Sequence, residues 1–149
     1  MPDPNQSLRE FFTLEHRRCD GRWAEVESAA EAGAGEALAE SWSAFQSGML
    51  KHLQMEEEVL FPAFEQATGM TEGGPTFVMR SEHEQMRGLL EQMGVAAEAG
   101  RHGELVDFGD TLLMLIQQHN QKEEHMLYPM AEQALAADWE KIHDRLIEY

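Results

Sequence analysis

Apolar side chains recur every three or four residues along most of the chain, which is the spacing of one face of an α-helix. An S-x-x-E capping box at Ser7 opens the first such segment, and glycines mark later helix ends at Gly33 or Gly35, Gly69 and Gly100. No segment alternates apolar and polar residues for the length of a strand, so the pattern predicts an all-α protein. The predicted inward positions of the four helices are Phe12, His16, Cys19, Trp23, Val26 and Ala30, then Trp42, Phe45, Met49, His52, Glu56, Val59 and Ala63, then Met79, His83, Met86, Leu90, Met93 and Ala97, and finally Leu105, Phe108, Leu112, Leu115, His119, Glu123, Met126 and Met130.

The second half of the chain repeats the first. Each half contains the pattern H-x-x-x-E-E-x-x-L-[FY]-P, and corresponding residues keep one offset, since 119 − 52 and 123 − 56 both equal 67. His16 and His83 keep the same offset. One two-helix unit is therefore used twice, which predicts a single domain over residues 1–149 that folds as an up-down-up-down four-helix bundle.

Other residues predict where the helices begin and end. Thr76 is expected to cap the third helix, and the fourth should begin at about Glu104. Pro62 and Pro129 each remove a backbone donor and are expected to kink or end their helices. Asp138 should cap a short C-terminal helix whose apolar face packs on the outside of the bundle. That face consists of Trp139, Ile142, Leu146 and Ile147.

The repeated motif places potential metal ligands in the interior of the bundle. Residues four apart on a helix share a face, so the histidine and glutamate of each H-x-x-x-E pair can reach one point in the core. Buried carboxylates are costly unless they are paired or bind a metal, and imidazole with carboxylate suits iron, manganese or zinc. We therefore expect a metal site with coordination positions left for water or another ligand. Its predicted protein ligands are His16, His52, Glu56, His83, His119 and Glu123.

A metal-free structural bundle is the alternative, because duplication also repeats ordinary core residues. Glu57, Glu58 and Glu124 fall off the inward face and are expected to be solvated. His125 is interpreted as peripheral, and Cys19 as a small buried apolar residue.

The composition limits the binding partners and the cellular compartment that we expect. The chain has 28 acidic and 11 basic residues and a formal net charge of −17, which disfavours nucleic acid and anionic membrane surfaces. Cys19 is the only cysteine, so no internal disulfide can form, and a reducing cytoplasm fits best. The start of the sequence lacks a basic segment followed by an apolar run, and no stretch approaches a membrane span, so we expect an untargeted, soluble protein.

With these motifs, the chain resembles the hemerythrin-like family of HHE cation-binding domains. The resemblance covers nearly the whole chain and implies a non-haem di-iron centre, with Glu56 and Glu123 bridging two iron ions and four terminal histidines. An oxo or hydroxo bridge would belong to such a centre. The resemblance also implies reversible binding of dioxygen or a related small ligand, such as nitric oxide or peroxide, for sensing, carriage or protection.

Two positions differ from the oxygen-carrying hemerythrins. Those proteins have a further histidine four residues after the one matching His83, where this chain has Arg87. Their last carboxylate is an aspartate five residues after its histidine, whereas Glu123 follows His119 by four. A more symmetric site, with two histidines for each iron, is therefore expected.

Two further functions remain open at the sequence level. The same centre would serve a di-iron enzyme that reduces peroxide or nitric oxide with an unknown redox partner. It would equally serve iron storage or iron sensing. The chain shows no flavin, haem or second iron motif of its own, which favours ligand binding over turnover.

Asp20 and Arg87 occupy matching positions, one helical turn beyond His16 and His83. In a bundle of the predicted topology they would face each other across the core. They would then form a buried ion pair that fixes helix register, or Arg87 would donate hydrogen bonds to an anionic metal ligand.

Overall fold

The computed structural model describes residues 5–149, and its regular structure is helical throughout. Residues 1–4, part of the start predicted to carry no targeting segment, lie outside the described residues. Because no strand occurs between residues 5 and 149, the all-α prediction is confirmed. The helices are α1 (Leu8–Glu31), α2 (Gly35–Met55), α3 (Phe61–Thr68), α4 (Pro75–Glu98), α5 (His102–Lys122), α6 (Tyr128–Ala134) and α7 (Trp139–Leu146), and two π-helical turns, Glu56–Leu60 and Glu123–Leu127, join α2 to α3 and α5 to α6.

Two helical hairpins make up most of the structure. α1 packs along α2, and α4 packs along α5. The connections, residues 32–34 and 99–101, are three residues long, and each contains a glycine at positive φ, Gly33 at 65° and Gly100 at 71°. Glycine lacks a Cβ and therefore adopts left-handed backbone without steric strain, which is why both turns contain a glycine. The hairpins contact each other through α2 with α4, α1 with α5 and α6, and α3 with α6.

The interior contains two apolar clusters separated by a polar layer. The histidines and the two glutamates of the repeated motif lie between the clusters. The first cluster includes Trp23, Val26, Leu38, Trp42, Phe45, Met49, Leu90, Met93, Leu105 and Leu112. The second cluster includes Leu8, Phe12, Val59, Leu60, Phe61, Phe64, Met79, Leu127, Tyr128, Ala131, Ile142 and Leu146.

The π-helical turns change which residues face inward. The backbone N–H of Phe61 bonds to the carbonyl of Glu56, and that of Tyr128 bonds to the carbonyl of Glu123, so each turn spans five residues instead of four. The extra residue rotates everything that follows. Met126 and Met130, predicted to face the core, are 59% and 38% exposed. The buried residues after the turns are instead Leu60, Phe61 and Phe64 in the first half and Leu127, Tyr128 and Ala131 in the second.

Smaller register differences occur near the other helix ends and in α5. The residues buried on these faces are Ala29, Ala96, Gly109 and Ile116, where the sequence predicted Ala30, Ala97, Phe108 and Leu115, which are half-buried. The predicted residues still lie at the margin of the core, so the interior faces of the helices are displaced by one residue and not reversed.

The helix ends confirm some predictions and correct others. The Ser7 capping box is present, with the Glu10 N–H donating to Ser7 Oγ over 3.1 Å. Thr76 does not cap α4, because the helix already begins at Pro75 and the Thr76 hydroxyl donates to Glu65. The fourth long helix starts two residues before Glu104, at His102.

The prolines do not end their helices. Pro62 and Pro129 are the second residues of α3 and α6 and directly follow the widened π-helical turns. Helix then continues to Thr68 in the first half, where Gly69 ends it at a φ of 73°, and to Ala134 in the second.

The C-terminal helix α7 packs against the second cluster. Ile142 and Leu146 are buried, whereas Ile147 is exposed, so the predicted apolar face is narrower than expected. Asp138 precedes α7 but makes no side-chain capping hydrogen bond. The Trp139 indole N–H donates to the Gln6 carbonyl over 2.9 Å, which ties α7 to the start of the described chain.

No helix between residues 5 and 149 is long and apolar enough to cross a membrane.

Gly109 provides a test of how closely α1 and α5 pack. A Cβ added at this position would overlap the indole ring of Trp23, whereas one added at Gly88 on α4 meets open space. We expect Gly109→Ala to lower the free energy of unfolding by about 1–3 kcal/mol, since overpacking forces the ring to move. The control Gly88→Ala should leave stability unchanged or raise it by about 0.5–1 kcal/mol. Urea unfolding of the two variants measures both effects, and equal stabilities would contradict this packing.

Candidate metal centre

The six sequence-predicted ligands lie together in the polar layer. Each of the four long helices supplies one histidine, and each glutamate is the first residue of a π-helical turn. All six residues are at most 4% exposed, and Glu56 and Glu123 are 0% exposed. They are His16 on α1, His52 on α2, His83 on α4, His119 on α5, and the two glutamates Glu56 and Glu123.

Each glutamate lies between two histidines, one from each half of the chain. Glu56 Oε1 is 3.1 Å from His52 Nε2 and 3.4 Å from His83 Nε2. Glu123 Oε1 is 3.1 Å from His16 Nε2 and 3.2 Å from His119 Nε2. Both carboxylates therefore join the two hairpins.

The ligand atoms form two groups that share Glu123. One group contains Glu56, His83, His119 and Glu123, and the other contains His16, His52 and Glu123. Within each group the potential ligand atoms all lie within 4.8 Å of one another. Because Glu123 belongs to both groups, its carboxylate could bridge two ions.

Several of these atoms have no hydrogen-bond partner among residues 5–149, although they are buried. They are His52 Nε2, His83 Nε2, His119 Nε2, Glu56 Oε1 and Glu123 Oε2. The short distances from the three Nε2 atoms to oxygens of Glu56 and Glu123 lack hydrogen-bond geometry, so these nitrogens and the glutamates face shared space. An unsatisfied buried polar atom costs about 1–3 kcal/mol, and more when it is charged. A cation would satisfy all of them, and this donor set fits iron, manganese or zinc.

A second ring of carboxylates orients the histidines. The Nδ1 atoms of His16, His83 and His119 lie 2.8–2.9 Å from carboxylate oxygens of Glu124, Glu57 and Glu82. With hydrogen on Nδ1, each ring keeps the Nε2 lone pair for the centre, which is how outer carboxylates support metal-binding histidines.

Glu57 and Glu124 were expected to be solvated, and that prediction was wrong. Their side chains are 25% and 23% exposed, and each reaches from one hairpin to a histidine of the other. The repeat contained the signal, since these residues are also 67 apart and directly follow the inward glutamates. The π-helical turn, which the sequence did not indicate, widens the helix at these residues.

Arg87 and Asp20 do not form the predicted pair. The Arg87 guanidinium contacts both oxygens of Glu57, at 3.0 and 3.2 Å, and Asp20 is exposed. Glu57 accepts a hydrogen bond from His83, which lies one turn before Arg87 on α4. The Glu57 carboxylate is therefore within reach of the Arg87 guanidinium. Lys122 makes the corresponding contact with Glu82. Both cations act on the histidines through a carboxylate.

His52 is the exception among the four histidines. Its Nδ1 has no hydrogen-bond partner in the described part of the chain. The repeat would assign Glu15 to it, because 82 − 67 = 15, but Glu15 pairs with Arg18 at 3.1 Å instead. The first half of the site is thus less constrained than the second.

Tyr128 is a residue of the site that the sequence analysis missed. Its fully buried hydroxyl lies 2.9 Å from Glu56 Oε2, 3.0 Å from Glu123 Oε1 and 3.0 Å from His16 Nε2. Its repeat counterpart is Phe61, so the position looked like ordinary core. The only sequence signal was the change from phenylalanine to tyrosine within the L-[FY]-P ending.

The charges of the glutamates dominate the electrostatics. Burial lowers the pKa of His16, but the hydrogen bond and charge of Glu123 outweigh it and raise that pKa to about 9. Burial also lowers the pKa of His83, but the adjacent carboxylates of Glu56 and Glu57 outweigh it and raise that pKa to about 9. Burial alone would raise the pKa of Glu56, yet the charge of His52 holds it well below the usual range. Without a metal, protons take the place of the cation.

A buried layer of four histidines and two glutamates inside a helical protein defines a metal-binding class. The chain belongs to the hemerythrin HHE cation-binding domain family, whose model matches residues 7–131. A second match covers residues 74–149 and begins 67 residues after the first, which is the offset of the internal repeat.

One curated relative is the iron-sulfur cluster repair protein YtfE of Cronobacter sakazakii, which is 39% identical over 59 residues. The matched segment covers 40% of this chain and 27% of that protein, so the chain corresponds to a minor part of the relative's length. No solved structure matches the chain significantly.

The raised histidine pKa values predict how pH acts on the metal-free protein. His16, facing Glu123, Glu124 and Glu56, and His83, facing Glu56, Glu57 and Glu123, hold their protons to about pH 9, against an ordinary pKa of 6.5. The stability they contribute is fully present below pH 6.5 and is lost as pH rises toward 9.

We expect the melting temperature of the metal-free protein to fall between pH 6.5 and 9. The metal-loaded protein should lack this fall, because the metal replaces the proton on Nε2. Circular dichroism melting of both forms across this range measures the effect. A metal-free melting temperature that is constant over the range would contradict the pairing.

Proposed function

We propose that this chain is a single-domain, up-down-up-down four-helix bundle that holds a non-haem di-iron centre. The proposed ligands are His16, His52, Glu56, His83, His119 and Glu123. The observation that carries the proposal is the set of buried Nε2 and carboxylate atoms that have no hydrogen-bond partner within residues 5–149. The contacts within and between the two hairpins support the proposed topology.

The division of the ligands into two groups supports two ions. Two histidines are available to each ion, His16 with His52 and His83 with His119, and Glu123 belongs to both groups. Glu56 Oε1 also lies near histidines of both groups, which suits a second bridge. Neither group contains all six residues, so one ion could not bond to all of them at normal distances of about 2.1 Å.

Iron in such a site would supply reversible binding of a small ligand such as dioxygen, nitric oxide or peroxide. A cavity of about 10 Å³ adjoins the histidine layer and is bounded by His16, His52, His119, Cys19, Met49, Leu53, Met86, Ile116 and Asn120. This volume corresponds to about one water-sized molecule. The apolar and sulfur-containing wall favours a diatomic or peroxide ligand over a larger substrate, and so a role in sensing, carriage or protection.

A second candidate function is the handling of iron itself. The curated relative is a repair protein for iron-sulfur clusters, and its matched segment includes only part of this chain.

Exposure of bound iron to a chelator separates the candidates. A ligand-binding centre should keep its iron on this challenge, whereas a storage or donor site should release it. Reduction of peroxide with turnover would instead favour the di-iron enzyme and require an external redox partner.

Iron should stabilise the fold. Loading purified metal-free protein is expected to give about two irons per chain by elemental analysis. At free iron a hundredfold above Kd, each bound ion should raise the free energy of unfolding by about 2.7 kcal/mol. For a chain of this size that corresponds to an increase in melting temperature of about 5–10 °C. Absence of bound iron, or identical melting curves, would favour a purely structural bundle.

Replacement of the glutamates should separate the inner from the outer ring. Glu56→Ala or Glu123→Ala is expected to remove most bound iron, because each would take away a shared ligand. Glu58→Ala is the matched control, since Glu58 lies on the same turn, is exposed, and accepts a hydrogen bond from the Tyr149 hydroxyl at the surface. Glu57→Ala should give an intermediate loss, because it frees His83 Nδ1. Similar iron loss in the Glu56 and Glu58 variants would refute the ligand assignment.

A further inference from the structure

The two halves of the centre differ at one pair of equivalent positions. Tyr128 and Phe61 are 67 residues apart, and both are fully buried. Their rings have matching surroundings, since Tyr128 lies 5.6 Å from the His16 ring at 31° and Phe61 lies 5.3 Å from the His83 ring at 37°. The repeat therefore places an aromatic ring beside each α1 or α4 histidine, but only one of these rings carries an oxygen.

The Tyr128 oxygen lies among the atoms that are proposed to bind metal. The Tyr128 hydroxyl has one hydrogen, yet it lies within 3.0 Å of Glu56 Oε2, Glu123 Oε1 and His16 Nε2. When a metal replaces the proton on His16 Nε2, the hydrogen on Nδ1 stays directed at Glu124 and Nε2 becomes an acceptor as well. In that state one hydroxyl hydrogen would face three acceptors, an arrangement that a cation among them would stabilise.

The distances match those between neighbouring ligands of one ion. For an octahedral ion with bonds of about 2.1 Å, adjacent ligand atoms are about 3.0 Å apart. Tyr128 Oη, His16 Nε2 and Glu123 Oε1 form a triangle with edges of 3.0, 3.0 and 3.1 Å. Three such atoms are what one triangular face of an octahedral coordination shell requires. Tyrosine oxygen is a known protein ligand of iron.

We infer that Tyr128 is a protein ligand of the ion held by His16 and His52. Because its counterpart Phe61 has no oxygen, the other ion has one protein ligand fewer. The inference rests on the proposed di-iron centre and makes its two ions inequivalent. An additional anionic oxygen donor stabilises the ferric state, so the ion at His16 and His52 is the one that is more readily oxidised.

Visible absorption and resonance Raman spectra of the iron-loaded ferric protein test this inference. Tyrosine oxygen bound to ferric iron gives a charge-transfer band with ring vibrations of the phenolate, which imidazole and carboxylate ligands lack. The chain has two tyrosines, Tyr128 and the exposed Tyr149, so the matched variants are Tyr128→Phe and Tyr149→Phe. We expect the phenolate vibrations in the parent protein and in Tyr149→Phe, and their complete loss in Tyr128→Phe.

Two further measurements make the result decisive. Ring-deuterated tyrosine should shift these vibrations in the parent protein, which identifies them even if Tyr128→Phe does not fold. Phe61→Tyr adds an oxygen at the equivalent position and should strengthen the charge-transfer band about twofold. A protein with two irons and no phenolate vibrations would overturn the inference and leave the di-iron proposal intact. A protein that binds no iron would overturn the di-iron proposal itself.

Discussion

Two glutamates at the centre of an apolar interior are the constraint on which the rest of the structure depends. Glu56 and Glu123 are fully buried, and no lysine or arginine pairs with either of them in the described part of the chain. Burial of a charge without compensation is costly enough that the carboxylates would otherwise be protonated. Histidines compensate them in the metal-free state, and the same nitrogen and oxygen atoms are free to bind cations. Stability of the fold and affinity for metal are thus set by one group of side chains.

The outer carboxylates fix how the two hairpins pair, and their neutralising cations differ between the two halves of the centre. Glu57 and Glu124 each cross from one hairpin to a histidine of the other, so the hairpins are held in register by the histidines themselves. Arg87 balances Glu57 and Lys122 balances Glu82, but no lysine or arginine pairs with Glu124 within residues 5–149. The half of the centre near His16 is therefore the more negative, which is also where the Tyr128 oxygen lies.

The π-helical turns connect the backbone to this chemistry. Each begins at an inward glutamate, and the additional residue allows the glutamate and the aromatic residue five positions later to face the same interior. In an uninterrupted α-helix, residues five apart are separated by about 140° around the axis, so Tyr128 would point away from Glu123. Widened turns of this type are frequent at functional sites. Here the widened turn brings a phenol into contact with the candidate ligands.

The sequence by itself determined the helical class, the duplicated unit and the six inward histidines and glutamates, because helical period and the 67-residue offset are local properties of the chain. Tertiary structure alone decided the partners of Arg87, Glu57 and Glu124, which depend on how the two hairpins face each other. It also decided the inward position of Tyr128, since the π-helical turn that rotates it has no signature in residue type. Contacts between distant segments and a one-residue change of helical register are fixed only when the whole core packs around the buried carboxylates.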